Sequence, residues 1–181
     1  MRKVLLKVFF IICFIVLCVF LTKSVLLPFV YRIKEPFFAM PIEINGKIDS
    51  IDDLPIRNDD YGDGDFGAKR RGGRLHKGLD LSAKINSPVY ASKSGWARQC
   101  IVPTGYGNLV IIAHPNREET RYGHLSSFNI KKTQWVTEGD TIGFIGKTGN
   151  ADINGITSHL HFEIRKNKNP VDPARELVSG E

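Results

Sequence analysis

Cysteine is scarce, and its placement leaves no disulfide framework. Of three cysteines, Cys13 and Cys18 lie inside an apolar N-terminal run and Cys100 stands alone in the polar remainder. That remainder therefore holds no internal disulfide. Cys100, between Gln99 and Ile101 in a strand-like stretch, reads as a small core residue rather than a nucleophile. Neither an internal repeat nor a low-complexity tract is visible. A basic stripe is also missing. The net charge of +6 is spread along the chain, which takes nucleic acid off the expected partners and leaves only a general attraction to anionic surfaces. The length suits one ordinary domain plus extras, not two large ones.

The apolar residues are unevenly placed. Arg2, Lys3 and Lys7 precede an uninterrupted apolar run from Val8 to Leu21. As a helix, Val4 to Thr22 reaches about 28 Å, close to the hydrocarbon thickness of a bilayer. Lys7, one turn inside, can snorkel to the interface. The following residues, Lys23 to Pro28, offer no A-x-A-like cleavage site, and no small residues precede Cys13 or Cys18 as a lipoprotein site requires. Residues 1–30 are therefore expected to be a retained signal anchor rather than a cleaved signal. Positive charge at the extreme N-terminus favours an inside N-terminus, although Lys23, Arg32 and Lys34 weaken the asymmetry.

Residues 31–58 read as a connector, interrupted by Pro36, Pro41 and Pro55 and solvated by Asp49, Asp52 and Asp53. Ile42 and Ile44 alternate with Glu43 and Asn45, so a short strand is possible there; the segment can equally lie against the domain. From Asp60 the pattern is strand and turn. Leu79–Leu81, Pro88–Ala91, Gly95–Val102, Leu109–Ile112, a strand beginning at Thr120, Thr141–Ile145 and His159–Arg165 are separated by turn residues at 105–108, 114–116, 139–140 and 167–170. Short strands at regular spacing predict an all-β sandwich or barrel over residues 59–178. Pro173–Val178 alone reads as a short helix, capped by Asp172.

Four of the five histidines stand in unusual company. His76-Lys77-Gly78-Leu79-Asp80 places an imidazole and a carboxylate four residues apart. On a straight strand their Cα atoms would be about 13 Å apart, too far to share a zinc ion unless the chain bends, and Gly78 is where it can bend. By itself the pair is as consistent with two unrelated surface residues. In His159-Leu160-His161-Phe162-Glu163, alternation puts His159, His161 and Glu163 on one face and Leu160 and Phe162 in the core. The two imidazoles, about 6–7 Å apart along the strand, suit one holding a metal while its neighbour addresses the metal-bound water. A polar face that happens to carry two histidines is the plainer alternative. His124, in Tyr122-Gly123-His124-Leu125, gains meaning only beside the other two elements. Together they can assemble a hydrolytic zinc centre: three protein ligands, an open position for water, and two further imidazoles for proton transfer and oxyanion stabilisation.

At these residues the chain resembles the lysostaphin/LytM-type zinc metallopeptidases. The resemblance covers about Tyr61 to Val178. It includes Phe66-Gly67-Ala68, the His76-to-Asp80 element, Gly105-Tyr106-Gly107-Asn108, Tyr122 to Leu125, Gly139-Asp140-x-Ile142-Gly143, Gly146-x-Thr148-Gly149, His159 to Glu163 and Asn169 to Pro173. It implies one zinc ion per chain, held by His76, Asp80 and His161, with His159 as general base and His124 as oxyanion stabiliser. His114 matches a hairpin histidine without chemistry. The implied fold is an open antiparallel β groove related to the lipoyl-domain barrel. The implied activity is hydrolysis of peptide stems or cross-bridges of bacterial peptidoglycan, on the outer side of a cytoplasmic membrane to which the N-terminal helix holds the protein. The loop Asn150 to Ser158 is longer than usual for the family, which implies a reshaped groove wall. Two other readings differ in kind. A non-catalytic relative that activates another wall hydrolase would be expected to lack metal ligands. A lipoyl- or biotin-type carrier would need an exposed lysine in a hairpin turn and not the placed histidines.

Overall fold

A run with no helix-breaking residue before Pro28 and no buried partner is helical throughout. The computed structural model describes residues 2–178 apart from Asn45, Lys47, Arg71 and Asn116. Helix α1 (Arg2–Leu21) passes through a π-helical turn (Thr22–Leu26) into α2 (Leu27–Lys34). Pro28 sits in the first turn of α2, where its missing N–H is tolerated. The span Val4–Leu21 is long and apolar enough to cross a membrane, and none of it is buried against the rest of the chain.

The segment after α2 lies against the β region. Ser94 donates to Glu35 through its backbone N–H (2.7 Å) and its hydroxyl (2.6 Å). Phe38, Ile42, Ile48 and Leu54 join the same apolar core as the strands. Ile42 and Ile44 form no strand. Pro41 instead accepts a hydrogen bond from Tyr90 N–H (2.8 Å), which turns Ile42 inward. Asn45, the end of the expected alternation, lies outside the described residues, as does Asn116 of the expected 114–116 turn.

A small hairpin, β1 (Asn58–Asp59) with β2 (Gly62–Asp63), precedes the main sheet. The main sheet contains β3 (Leu79–Ser82), β4 (Pro88–Tyr90), β5 (Gly95–Val102), β6 (Gly107–Ala113), β7 (Glu118–Phe128), β8 (Thr133–Val136), β9 (Thr141–Ile145), β10 (His159–Lys166) and β11 (Asn169–Val171). Its main path runs β11-β10-β7-β6-β5-β8, with β3 on β10, and with β9 on β7 and β4. All these pairings are antiparallel, and the sheet stays open. The all-β, open antiparallel expectation holds.

Besides both strands of the small hairpin, two strands of the main sheet escaped the sequence pattern. In β11, Pro170 is tolerated because the strand is an edge. The turn before it is only Asn167 and Lys168, both in the left-handed region (φ 51° and 70°), as a tight hairpin requires. In β8 the alternation is too short to register. Helix α3 (Pro173–Val178) lies where expected, and Ala174 N–H donates to Asp172 Oδ1 (3.1 Å).

Candidate metal centre

Strand β10 joins residues that are far apart in sequence. Over its first half it pairs with β3 on one edge, where His161 faces Asp80, and with β7 on the other, where His161 faces Gly123. Directly opposed residues of an antiparallel pair share a face, so this register brings Asp80 and His161 together. Leu160 and Phe162 point into the core and are fully buried, which pins the register, since a slip by one residue would expose both.

His76 reaches the same place from outside the sheet. Its N–H donates to Ala68 O, and Gly67 N–H donates to its carbonyl, both at 2.9 Å. The chain then bends at Gly78 before β3 begins. Glycine is required there by close approach: a Cβ would lie 2.4 Å from Phe162 O and 3.0 Å from His161 Cε1. The bend removes the separation that a straight strand would impose.

Three donor atoms converge. His76 Nε2 lies 3.0 Å from Asp80 Oδ1 and 3.0 Å from His161 Nδ1, and His161 Nδ1 lies 2.8 Å from Asp80 Oδ1. The remaining nitrogens decide what these atoms can do. His76 Nδ1 is 2.8 Å from Asp65 O, and a carbonyl only accepts, so Nδ1 carries the hydrogen and Nε2 presents a lone pair. His161 Nε2 is 3.1 Å from Glu163 Oε1, which likewise leaves Nδ1 as a lone pair. With both rings neutral, two imidazole lone pairs and a carboxylate oxygen face one another and repel; a proton on a ring or a shared metal cation relieves this. A tetrahedral zinc ion with bonds of about 2.0–2.1 Å has donor–donor edges of about 3.3 Å, so the three need spread only slightly to hold one. The set fits a divalent metal of zinc type.

The other two histidines flank this group. The His124 ring centroid is 5.0 Å from that of His159 and 5.8 Å from that of His161. His159 Nδ1 donates to Thr157 O (2.6 Å), and His124 Nδ1 donates to Thr148 O (2.8 Å). Both rings therefore present an Nε2 lone pair. His124 stands in the left-handed region (φ 64°), where the pairing of β7 with β6 shifts register. Such an irregularity re-aims a side chain, and non-glycine residues seldom adopt that conformation. Its N–H donates to Tyr106 O (2.7 Å). Thr148 is fixed in turn: Asn108 N–H donates to its hydroxyl, and that hydroxyl donates to Leu125 O, both at 2.9 Å. Gly107, at φ 65°, lets Thr148 approach so closely; a Cβ there would lie 2.3 Å from Thr148 Oγ1.

Residues 74–173 match the family model described as Peptidase family M23. The chain belongs to peptidase family M23. It is 43% identical over 100 residues to the DD-carboxypeptidase/endopeptidase Mpg of Neisseria meningitidis, covering 55% of this chain and 22% of that protein. It is 39% identical over 103 residues to the peptidoglycan DD-endopeptidase ShyA of Vibrio cholerae, covering 57% and 23%. The chain thus spans about a fifth to a quarter of the length of these relatives. Among solved structures, a zinc-containing peptidase from Vibrio cholerae superposes with a TM-score of 0.60 at 30% identity, over 77% of this chain and 40% of that one.

The M23 chain surrounds the convergent donors with charged partners to which the sequence pattern gave no role. Glu163 accepts from His161, from Tyr106 OH (2.6 Å) and from Arg165 Nε (2.7 Å). Burial alone would raise its pKa; the hydrogen bond and charge of His161, helped by Tyr106 and Arg165, lower it to about 2. Asp80 Oδ2, the oxygen not shared by His76 and His161, takes Arg57 Nη2 at 3.2 Å and Arg70 Nη2 at 3.0 Å and lies 3.9 Å from His159 Nε2. Burial works against its charge too, but hydrogen bonds and charge from His161 and His76 hold it well below the usual carboxylate range. Burial also opposes a proton on His161, yet Asp80 and Glu163 raise it to about 9. His124 goes the other way: burial, then the charges of His161 and His159, push it down to about 3. Burial likewise lowers His159. Glu163 was legible, two residues from His161 on the same face. Arg57 and Arg70 carry no spacing signal. His114 lies apart, its nitrogens satisfied by Ser94 O (2.9 Å) and Thr120 Oγ1 (3.0 Å).

Proposed function

We propose that this chain is a zinc-dependent endopeptidase that hydrolyses cross-links or stem peptides of bacterial peptidoglycan. The observation that carries the reading is the convergence of His76 Nε2, Asp80 Oδ1 and His161 Nδ1 within 3.0 Å of one another, flanked by two more imidazoles. His76, Asp80 and His161 would hold one zinc ion per chain. When bound, zinc polarises the scissile carbonyl and brings the pKa of water toward neutrality. His159, whose Nδ1–H is tied to Thr157 O, keeps Nε2 free to take a proton as general base. His124 steadies the oxyanion. Its Nε2, a lone pair in the resting site, would take up the proton that His159 draws from the water, hydrogen-bond the oxyanion with it and, because burial disfavours the charged ring, pass it to the leaving amine. Glu163 fixes the His161 ring by taking its Nε2–H, the arrangement common behind metal-bound imidazoles.

The substrate class is supported by what the similar proteins Mpg and ShyA are named for and by the motif resemblance over residues 61–178. The same reading assigns residues 1–30 to a retained single-pass anchor, 31–58 to a connector and 59–178 to the peptidase region, on the periplasmic or extracellular side of the cytoplasmic membrane. Digestion of purified peptidoglycan by the zinc-loaded full-length chain in detergent, with mass analysis of soluble products, tests it. Muropeptides that disappear with a chelator are expected. One zinc per chain with no released product would overturn the enzyme reading in favour of a binding or regulatory module.

A further inference from the structure

His159 is held by a loop, and the loop is held by a residue outside the family motifs. Thr157 is held on both sides of its Cα: its carbonyl accepts from His159 Nδ1 (2.6 Å), and its N–H, in the adjacent peptide group, donates to Asp59 Oδ2 (3.0 Å). The other oxygen of Asp59 accepts from Tyr61 N–H (2.9 Å) and from Arg57 Nη1 (2.5 Å). Arg57 then reaches Asp80 Oδ2 (3.2 Å), and its backbone N–H donates to Asp80 O (2.8 Å). The side chains of Arg57, Asp59 and Asp80 are only 5%, 12% and 5% exposed, so the Arg57 bonds to Asp59 and Asp80 are sheltered from competing water, while the N–H bonds from Thr157 and Tyr61 lie at the surface. The Asp59 carboxyl is held down to about 2, burial being outweighed by Thr157 N–H, Arg57 and Tyr61 N–H.

The hairpin that carries Asp59 ties down the same loop a second time. Tyr61 OH donates to Asn154 O (2.7 Å), and a Cβ at Gly155 would lie 3.2 Å from the Tyr61 ring. Ala151 is buried and Ser158 is tied to Ala83, so the stretch that these bonds hold is the largely exposed 152–157 between them. A ring whose tautomer is set by a mobile carbonyl is poorly fixed; one whose carbonyl belongs to a clamped residue is not.

We propose that Asp59 is a positioning residue. It clamps Thr157 so that His159 keeps its Nδ1–H tautomer with Nε2 aimed at the reacting water, and through Arg57 it joins that clamp to Asp80. This rests on the assignment of His159 as a base at the metal centre.

The test uses the full-length chain in detergent, zinc-loaded, with 15N-labelled histidine rings. Wild type is expected to give one Nδ1–H signal set for His159. Asp59→Ala is expected to shift that set toward mixed tautomers. Its kcat on peptidoglycan should fall about 10–100-fold, with KM within about twofold and zinc content unchanged. Asp59→Asn, whose single carbonyl oxygen cannot serve three donors, is expected to move both readouts the same way by less, and carries the test if Asp59→Ala does not fold. An unchanged His159 signal in the variants overturns the proposal. So does loss of zinc together with activity, or an effect on KM alone. If wild type itself releases no muropeptides, the enzyme reading has failed, and the ring signals still decide whether Asp59 sets His159.

Discussion

His161 Nδ1 can hold a proton or a metal ion, not both. Asp80 and Glu163 raise its pKa to about 9 against the opposing effect of burial. The proton therefore competes fully below that value, and competition fades as pH rises through it. Zinc uptake at pH 7 should release about one proton, and affinity should rise about tenfold per pH unit until about pH 9. Calorimetry in two buffers of different ionisation enthalpy measures the release. An uptake heat that does not depend on the buffer would contradict it. Several of these side chains were legible from sequence alone, because strand alternation puts His159, His161 and Glu163 on one face whatever the fold. Arg57, Asp59 and Arg70 were not. Their roles come from tertiary register, which brings Asp80 O to Arg57 N–H at 2.8 Å, and no local spacing encodes that.

Strand β10 is the element on which the centre is hung, and its identity was plain from alternation. The pairing of both its edges was not, because the flanking strands β3 and β7 come from distant parts of the chain. The segment after α2 was left open by sequence, since prolines and acidic residues mask its few apolar positions. Phe38 is only 4% exposed and lies against the β core, with the Lys93 ammonium 3.9 Å from its ring centroid. Phe38→Ala is expected to destabilise the protein by about 3 kcal/mol. Chemical denaturation followed by tryptophan fluorescence checks it; a change under about 1 kcal/mol would mean that this segment is a loose tether.

At the scale of the molecule, helix and sheet are joined without a free linker. Tyr31 of α2 packs at a tilt against Trp135 of β8, ring centroids 5.6 Å apart, and Glu35 is already anchored on Ser94. A chain with Val4–Leu21 exposed and apolar should stay with membranes in alkaline carbonate and leave them only with detergent. Release by carbonate would contradict an integral anchor.

The most direct test is the zinc content of the purified full-length chain and two single variants, by elemental mass spectrometry. One zinc per chain is expected in wild type and in His159→Ala, and none in His161→Ala. Tight zinc retention in His161→Ala, or its loss from His159→Ala alone, would contradict a metal centre built from His76, Asp80 and His161.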